Sequence, residues 1–278
     1  MKKNTTKLKP SIGIIGQGFI GLVLKRYYEY AKVYDIRPGE WDSLDEVLSC
    51  DYVFMAVNLF DNCRSRESRA TLEKYFKSMS DGVTVIIKST VVPGTTDYFQ
   101  IKYPHLKFVY NPEFLTEATA WDDFIHAPFQ ILGLTPASLE LKKDLYRLLP
   151  KAPINREMDA RDAEFLKHCL NSFFAMKVSF FNQMYDASIE LGVHYEPVRE
   201  VMVQHPSVGN SHSIIWHKGY RGFGGKCLPK DIEALASVSN FPLLDEIIAF
   251  NDKLRTESVP AGDGAVPERA QVFKQKLS

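Results

Sequence analysis

The sequence predicts an α/β fold in which a doubly wound parallel sheet is followed by an all-helical domain. From Ser11 onward, short apolar runs alternate with helical stretches, which is typical of parallel strands joined by crossover helices. From Asp159 to Leu191 there is no proline or glycine and apolar residues recur at helical spacing, which predicts one helix of about 30 residues. We therefore expect a sheet domain at 1–156, a helical domain at 157–258 and a flexible tail at 259–278.

Each strand of the sheet is predicted from a short apolar run, and each helix from the stretch that follows it. The strands lie near residues 11–15, 32–35, 52–57, 83–88, 107–110, 129–132 and 152–155. The helices between them begin near Phe19, Ser43, Glu67, Gly94 and Ser138. Ser43 followed by Glu46 fits a capping box, in which each side chain accepts from a backbone amide of the other residue. In the helical domain, further helices fit residues 196–204, 230–237 and 242–256.

The composition excludes several classes of partner. Lysine plus arginine and aspartate plus glutamate both number 34, so no overall field attracts nucleic acid or an anionic membrane. No apolar stretch approaches the roughly 18 residues needed to span a bilayer, and no apolar signal core follows the initial methionine. The cysteines have no Cys-x-x-Cys spacing, which indicates reduced thiols and a cytoplasmic protein. His205, His212 and His217 have no matching carboxylate or cysteine pattern, so we expect no metal site.

A glycine motif directly after the first strand predicts a Rossmann-like dinucleotide site. In the run Gly16-Gln17-Gly18-Phe19-Ile20-Gly21, the first glycine permits a tight turn and the second lets backbone approach a pyrophosphate. The third glycine lets the helix pack closely on the strand, and the helix N-terminus, with Phe19 and Ile20, supplies N–H donors.

The end of the second strand indicates which dinucleotide is bound. Asp35 stands about 20 residues after the start of the glycine motif, where a carboxylate accepts hydrogen bonds from the adenosine ribose and repels a 2′-phosphate. Arg37, two residues later, could instead bind that phosphate and favour NADP. We expect NAD.

The segment Gly222–Asp231 groups glycines, a thiol, a lysine and a carboxylate. Three glycines would allow close approach of backbone to a ligand, and Cys227 could be a nucleophile activated by Lys230 or by a helix N-terminus. Lone cysteines are also often small buried hydrophobic residues, so residue chemistry alone leaves both interpretations open for Cys227. For Cys50, Cys63 and Cys169 we expect the buried role.

The pattern Gly-Phe-Gly-Gly-x-Cys-x-x-Lys-Asp at 222–231 resembles the nucleophile motif of the UDP-glucose/GDP-mannose dehydrogenase family, which includes UDP-glucose 6-dehydrogenase. Further blocks resemble the family in the same order, at 88–95, 111–117 and 163–182. The resemblance covers about residues 11–256. It departs from the family in three places. The stretch between Asp35 and Asp51 is short, Ser207 stands where an arginine often contacts substrate, and the chain ends where a third, nucleotide-gripping domain would begin.

The resemblance implies roles for particular residues. Catalysis is implied for Cys227 as nucleophile, Asp231 and a water held by Thr90 as base, Glu113 as hydrolytic base, and Lys167 and Asn171 as oxyanion stabilisers. Lys167 and Asn171 are four residues apart on one helix face, with Asn182 further along, and could converge on one substrate oxygen. Contacts to NAD are implied for Val57, Thr90 and Glu117, in addition to the glycine motif and Asp35. Contacts to substrate are implied for Glu113, Phe114, Leu115, Lys167, Asn171, Phe223, Gly224 and Lys230.

The function implied is an NAD-dependent four-electron oxidation of the C6 alcohol of UDP-glucose, with UDP-N-acetyl sugars and GDP-mannose as further candidate substrates. Two alternatives remain open. One is a catalytically weak or inactive protein that binds NAD and a nucleotide sugar after losing its third domain. The other is an ordinary two-electron dehydrogenase, which needs no thiol. Because the long helix is too apolar to be covered by few partners, we also expect a homodimer through the helical domain.

Overall fold

The chain forms two units, which divide between Lys167 and His168. A computed structural model describes residues 9–59, 65–225, 227–238 and 240–258. Cys63, Lys226 and the predicted tail 259–278 lie outside the described residues.

A seven-stranded sheet forms the centre of the first unit. Its strands are β1 (Ile12–Ile15), β2 (Lys32–Tyr34), β3 (Tyr52–Met55), β4 (Thr84–Ile87), β5 (Lys107–Tyr110), β6 (Phe129–Leu134) and β7 (Ile154–Asp159). Their spatial order is β2-β1-β3-β4-β5-β6-β7, and the first five are parallel. The chain leaves β1 toward one edge and returns on its other side with β3. The crevice beyond the carboxyl ends of β1 and β3 is therefore the switch point at which α/β sheets bind ligands.

Helices cover both faces of this sheet, which confirms the predicted doubly wound fold. They are α1 (Phe19–Tyr27), α2 (Leu44–Leu48), α3 (Ser65–Phe76), α4 (Thr95–Lys102), α5 (Ala120–Ile125) and α6 (Lys142–Leu148). Helices α1, α5 and α6 contribute to one core, and α2, α3 and α4 to the other. Strand side chains alternate between the two cores, as Phe54 and Met55 do on β3. The capping box at Ser43 and Glu46 is confirmed.

Strand β7 ends at Asp159, four residues beyond the predicted end at residue 155, and three further features of this unit differ from the prediction. First, β6 runs antiparallel to β5: the connection between them contains only the six-residue helix α5, about 9 Å long, and does not carry the chain back to the end of the sheet at which β5 begins. Second, α5 itself was not predicted. Third, the helix expected to begin near Ser138 is a 3₁₀ turn over Pro136–Leu141, and α6 begins only at Lys142. The reason is that Ser138 bonds back to Thr135, closing a tighter turn.

The second unit is helical over its described residues. Helix α7 (Ala160–Leu191) begins in the first unit and continues into the second, followed by α8 (Tyr195–Met202), α9 (Leu228–Ser237) and α10 (Pro242–Glu257). All four lie within two residues of the predicted bounds. Ala175, Val178, Phe223, Ile232 and Ile247 form one apolar core. No helix of the described ranges has the length and apolarity needed to cross a membrane.

Candidate active site

The turn between β1 and α1 places the predicted glycine motif at the switch point. Gly16 has a φ of +94°, and a Cβ there would lie 2.5 Å from the carbonyl oxygen of Ala56. A Cβ at Gly21 would lie 1.8 Å from the carbonyl oxygen of Gly16. Both glycines are therefore required by the protein's own backbone. Gly18 differs, since a Cβ there would meet no described atom within 4 Å. The second glycine of the motif faces open space, as close approach of a phosphate requires.

The start of α1 and the end of β3 border the same turn. The amides of Phe19 and Ile20 lie in the first turn of α1 and therefore have no intrahelical acceptor. Among the described residues, no side chain caps this helix. The backbone nitrogen of Val57 would lie 2.9 Å from a Cβ at Gly16, and the Val57 carbonyl accepts from Ser89 Oγ at 2.7 Å. Uncapped N–H groups and the positive end of a helix dipole fit the pyrophosphate of a dinucleotide.

The Asp35 carboxylate at the end of β2 is held by its neighbours. Its Oδ2 accepts from the Gln17 amide at 2.5 Å, and its Oδ1 accepts from the Arg37 amide at 2.8 Å and from Arg37 Nε at 2.9 Å. The Arg37 guanidinium lowers the pKa of Asp35 to about 2, against the effect of burial. Arg37, the residue that left NADP open, is thus engaged with Asp35, and its charge is neutralised there.

Two buried lysines hold the segment that follows β5. Lys88 Nζ donates to Asn111 Oδ1 at 2.8 Å, and Asn111 Nδ2 donates to the Ile131 carbonyl at 2.7 Å, which fixes the orientation of the amide. Lys167 Nζ donates to the Glu113 carbonyl at 2.6 Å and lies 3.3 Å from Glu113 Oε1. Burial lowers the pKa of Lys88 to about 8, helped by Lys167 and opposed by Glu113. Two lysines and one carboxylate leave this cluster with a net positive charge when all are ionised.

The remaining predicted residues of this unit lie around that cluster. The Leu115 amide donates to Glu113 Oε2 at 2.7 Å, which fixes the second carboxylate oxygen. The Phe114 ring lies 5.2 Å from Lys167 Nζ. Thr90 is half-buried, two residues after Lys88, and Glu117 is exposed.

Glu164 anchors the start of α4 to α7. Its fully buried carboxylate accepts from the Gly94 amide at 2.5 Å, the Thr96 amide at 2.8 Å and Thr96 Oγ1 at 2.6 Å. Burial raises the pKa of Glu164 to about 7, although the three hydrogen bonds act in the opposite direction. Because Thr90 lies only four residues before Gly94, this contact restrains the segment that carries it.

In the second unit, Asp231 is the centre of the predicted nucleophile segment. Its carboxylate is fully buried, accepts from Asn171 Nδ2 at 2.5 Å and lies 3.2 Å from Lys230 Nζ. The Asp231 amide donates to the Cys227 carbonyl at 3.0 Å, closing the first turn of α9, of which Cys227 is the N-cap. The Asp231 carbonyl lies 3.0 Å from His168 Nδ1. The structure thus brings Cys227, Lys230, Asp231 and Asn171 together within this unit.

The glycines before Cys227 do not have the surroundings that we expected. A Cβ at Gly222 would lie 2.5 Å from Asn251 Oδ1, and one at Gly224 would lie 3.2 Å from the Arg255 guanidinium. Phe223 is 3% exposed in the apolar core, and its amide donates to Asn251 Oδ1 at 2.7 Å. Gly222 and Gly224 therefore allow α10 to approach this loop closely, whereas we had predicted that they allow a ligand to do so. Gly225 alone has no described atom near its Cβ position.

Asn182 does not join Asn171. Eleven residues along a helix amount to about 16 Å, and Asn182 Oδ1 accepts from Arg221 Nε at 3.1 Å instead. His212 stacks on Phe174, with ring centroids 4.4 Å apart. Ser207 is exposed. Among the described residues, no group of three or more histidine, cysteine or acidic side chains could hold a metal ion.

No role was predicted for Lys88 or Glu164, although the sequence around each gives a signal. Lys88 is a charged residue that directly follows the apolar strand Thr84–Ile87. Glu164 lies one helical turn before Lys167 in a segment rich in phenylalanine. A charged residue in such a position needs a partner, because burial of an unpaired charge is costly.

Two models of one family match the chain. The NAD binding domain of the UDP-glucose/GDP-mannose dehydrogenase family matches residues 41–149, and the central domain of the same family matches residues 161–253. The GDP-mannose 6-dehydrogenase of Pseudomonas putida is 34% identical over 185 residues, which is 61% of this chain and 41% of the relative. The UDP-glucose 6-dehydrogenase YwqF of Bacillus subtilis is 29% identical over 222 residues, which is 73% of this chain and 48% of the relative. The chain therefore spans less than half the length of these relatives.

Solved structures support the fold. A UDP-glucose dehydrogenase from the archaeon Pyrobaculum islandicum matches 90% of this chain and 69% of its own, with a TM-score of 0.72 and 23% identity. A UDP-D-ManNAc dehydrogenase from Pyrococcus horikoshii matches 88% of this chain over 68% of its own length, with a TM-score of 0.75 and 21% identity.

Proposed function

The chain belongs to the UDP-glucose/GDP-mannose dehydrogenase family, and on that premise we propose that it is an NAD-dependent enzyme that oxidises the C6 alcohol of a nucleotide sugar to a carboxylate. The observation that carries the proposal is the group around Asp231. This residue follows Cys227 by one helical turn, and its buried carboxylate is held by Asn171 and Lys230. A binding protein would need no such group. The substrate that we propose is UDP-glucose, and GDP-mannose is tested beside it because both names occur among the relatives.

NAD, when bound, supplies the hydride acceptor for both oxidations. The residues present fit it, since Gly18 faces open space and the amides of Phe19 and Ile20 have no intrahelical acceptor. Asp35 would turn from Arg37 to the adenosine ribose. Val57, Thr90 and Glu117 are the further contacts that we assign to the cofactor.

The first oxidation requires a base for the C6 hydroxyl proton while the C6 hydride departs. We assign this to Asp231, acting with a water that Thr90 holds. Asn171 and Lys230 contact the Asp231 carboxylate and hold it in place. The product of this step is an aldehyde that stays bound.

The second oxidation passes through Cys227. Its thiolate adds to the aldehyde carbon, and the oxyanion formed is stabilised by Lys167 and Asn171. Loss of a second hydride gives a thioester. Water then adds to the thioester carbonyl with Glu113 as base, the C–S bond breaks, and the thiol and the uronate are released. Lys167 contacts Glu113 directly, so the same ammonium also orients the base.

The test is the number of NADH molecules formed per sugar by purified protein with NAD and either UDP-glucose or GDP-mannose. The four-electron mechanism gives two NADH per sugar. Cys227→Ala should stop at the aldehyde and lose steady-state formation of the uronate. Cys169→Ala is the matched control, because this thiol lies on α7 outside the Asp231 group, and it should leave turnover unchanged.

The outcomes separate the alternatives. One NADH per sugar, unaffected by Cys227→Ala, would show an ordinary two-electron dehydrogenase and refute the covalent step. No NADH with any sugar, together with retained binding of NAD, would favour a binding protein.

We also propose a homodimer through the helical unit. Phe173, Phe180, Met184 and Leu191 lie on one face of α7 and are 50%, 45%, 38% and 77% exposed. An exposed apolar stripe of this kind is typical of a surface that is covered in an assembly. Light scattering at micromolar concentration should give twice the mass of one chain, and Phe180→Glu should give the monomer. A monomeric wild type would contradict the proposal.

A further inference from the structure

Arg255, in the last turn of α10, lies against the loop that precedes Cys227. A Cβ at Gly224 would lie 3.2 Å from both Cζ and Nη1 of Arg255 and 3.4 Å from Nη2. These nearly equal distances mean that Gly224 meets the flat face of the guanidinium, because an edge-on approach would bring the nitrogens closer than the carbon. The Tyr220 ring also lies against this group, with its centroid 4.2 Å from Cζ. The Gly224 contact uses a face of the guanidinium and leaves its N–H donors directed outward.

Arg255 has no carboxylate partner among the described residues, although one stands at a suitable spacing. Asp252 lies three residues earlier on α10, where an acid and an arginine can pair on a helix surface. Asp252 instead lies close to Glu233 and, after burial, helps to raise the pKa of that carboxyl. Arg221, in the same loop as Gly224, behaves differently and pairs with Asp186 at 2.8 Å. Arg255 is thus a half-buried cation whose N–H groups have no hydrogen-bond acceptor among the residues that the structure describes.

We propose that Arg255 binds a phosphate oxygen of the nucleotide sugar. A planar guanidinium held between Gly224 and Tyr220 presents its donors as a rigid fork, the geometry that suits a phosphate. The inference rests on the proposed function, because that function brings an anionic ligand to the nucleophile loop. Gly224 and Cys227 are three residues apart and so lie within about 11 Å of each other. A hexose whose C6 reaches Cys227 carries its anomeric phosphate across one sugar ring, a distance of the same order.

The inference is tested by calorimetric binding of UDP, inorganic pyrophosphate and uridine to the full chain. Arg255→Met keeps the length of the side chain but removes the donors, and it should weaken binding of UDP and pyrophosphate about 10- to 100-fold. Affinity for uridine, which has no phosphate, and for NAD should stay unchanged. Lys253→Met is the matched control, because it removes an exposed positive charge from the same helix and should leave all four affinities unchanged.

Two further variants examine the geometry. Arg255→Lys keeps the charge but not the fork, so its loss should be intermediate. Gly224→Ala places a methyl group against the guanidinium and should weaken UDP in the same direction. If Arg255→Met and Arg255→Lys both bind UDP like the wild type, or if uridine weakens as much as UDP, the inference is wrong. A protein that oxidises no sugar but loses UDP on Arg255→Met would refute the proposed function and leave this inference intact.

Discussion

The stability of the first unit should rise between pH 8 and pH 10.5, and replacing Lys88 by methionine should abolish this rise. Lys88 is 4% exposed, and among the described residues its ammonium donates one hydrogen bond, to the side chain of Asn111 at 2.8 Å. Methionine has a similar length and no charge. The substitution therefore isolates the cost of holding an ammonium group in a buried position.

The magnitude follows from the shift of the pKa. Burial lowers the pKa of Lys88 from 10.5 to about 8, and each pKa unit corresponds to about 1.4 kcal/mol, so the charged form costs about 3 kcal/mol on folding. Between these two pH values the unfolded chain binds a proton that the native protein lacks, so the free energy of unfolding rises with pH. Below pH 8 both states are protonated and the full cost is present.

The variant should differ from the wild type in opposite directions at the two ends of this range. Lys88→Met removes the cost of about 3 kcal/mol at pH 7 but leaves Asn111 Oδ1 without its donor, a loss of about 1–3 kcal/mol at every pH. At pH 7 the variant should therefore be as stable as the wild type or more stable. At pH 10 it should be less stable.

Urea unfolding followed by tryptophan emission measures this difference for the first unit. Trp41 and Trp121 lie in that unit and Trp216 in the second, so both proteins are prepared with Trp216→Phe. Lys88→Arg is the control, because arginine keeps its charge throughout the range and should show no rise. If the difference between wild type and Lys88→Met is the same at pH 7 and pH 10, Lys88 does not have a lowered pKa, and the reasoning from burial is refuted.

Four further substitutions should give distinct results. Gly16→Ala should lower the free energy of unfolding by several kcal/mol, because its Cβ would overlap the Ala56 carbonyl, whereas Gly18→Ala should melt like the wild type but bind NAD more weakly in calorimetry. Asp35→Asn should release Arg37 for a 2′-phosphate and lower the NAD-to-NADP ratio of kcat/KM about tenfold or more; an unchanged ratio would mean that the pair does not set cofactor choice. Glu164→Gln should abolish a fall of about 3 kcal/mol in the free energy of unfolding between pH 4.5 and pH 7, since burial raises the pKa of Glu164 to about 7 and the native protein there holds a proton that the unfolded chain has lost; an equal difference from the wild type at both pH values would contradict this.

The parts of the fold that could be predicted are those in which one local pattern decides the structure. Apolar runs predicted all five parallel strands β1 to β5, and the absence of proline and glycine predicted α7 to within one residue at its start. The direction of β6 could not be predicted in this way, because a strand has the same pattern in either direction. It depends on how far α5 returns the chain, and α5 is too short to show helical periodicity.

The candidate site was predictable where residue type and spacing both carry information. The glycine motif after β1 is such a case. For Gly222 and Gly224 the sequence shows only that a Cβ is excluded, and it does not show by what. In the structure, a Cβ at these glycines would meet the side chains of Asn251 and Arg255 on α10, which are distant along the chain. A prediction from the motif alone therefore assigned to a ligand the space that the protein itself fills.

Helix α7 combines both lessons, because its buried side chains near the site are polar and several of its exposed ones are apolar. The buried polar residues are Glu164, Lys167, His168 and Asn171, which follow the spacing of a single helix face. Phe165, Phe173 and Phe180 are 45–50% exposed. Near the site this differs from the usual amphipathic pattern, in which the apolar stripe faces the core, whereas Ala175, Val178 and Phe181 further along α7 follow that pattern. A buried polar stripe is stable only if each member is paired, and the partners are Thr96 for Glu164, Glu113 for Lys167, and Asp231 for His168 and Asn171. Packing of the helix alone would not select such a stripe. The buried polar stripe therefore supports the site roles that we propose for Lys167 and Asn171, and the exposed phenylalanines support the dimer that we propose.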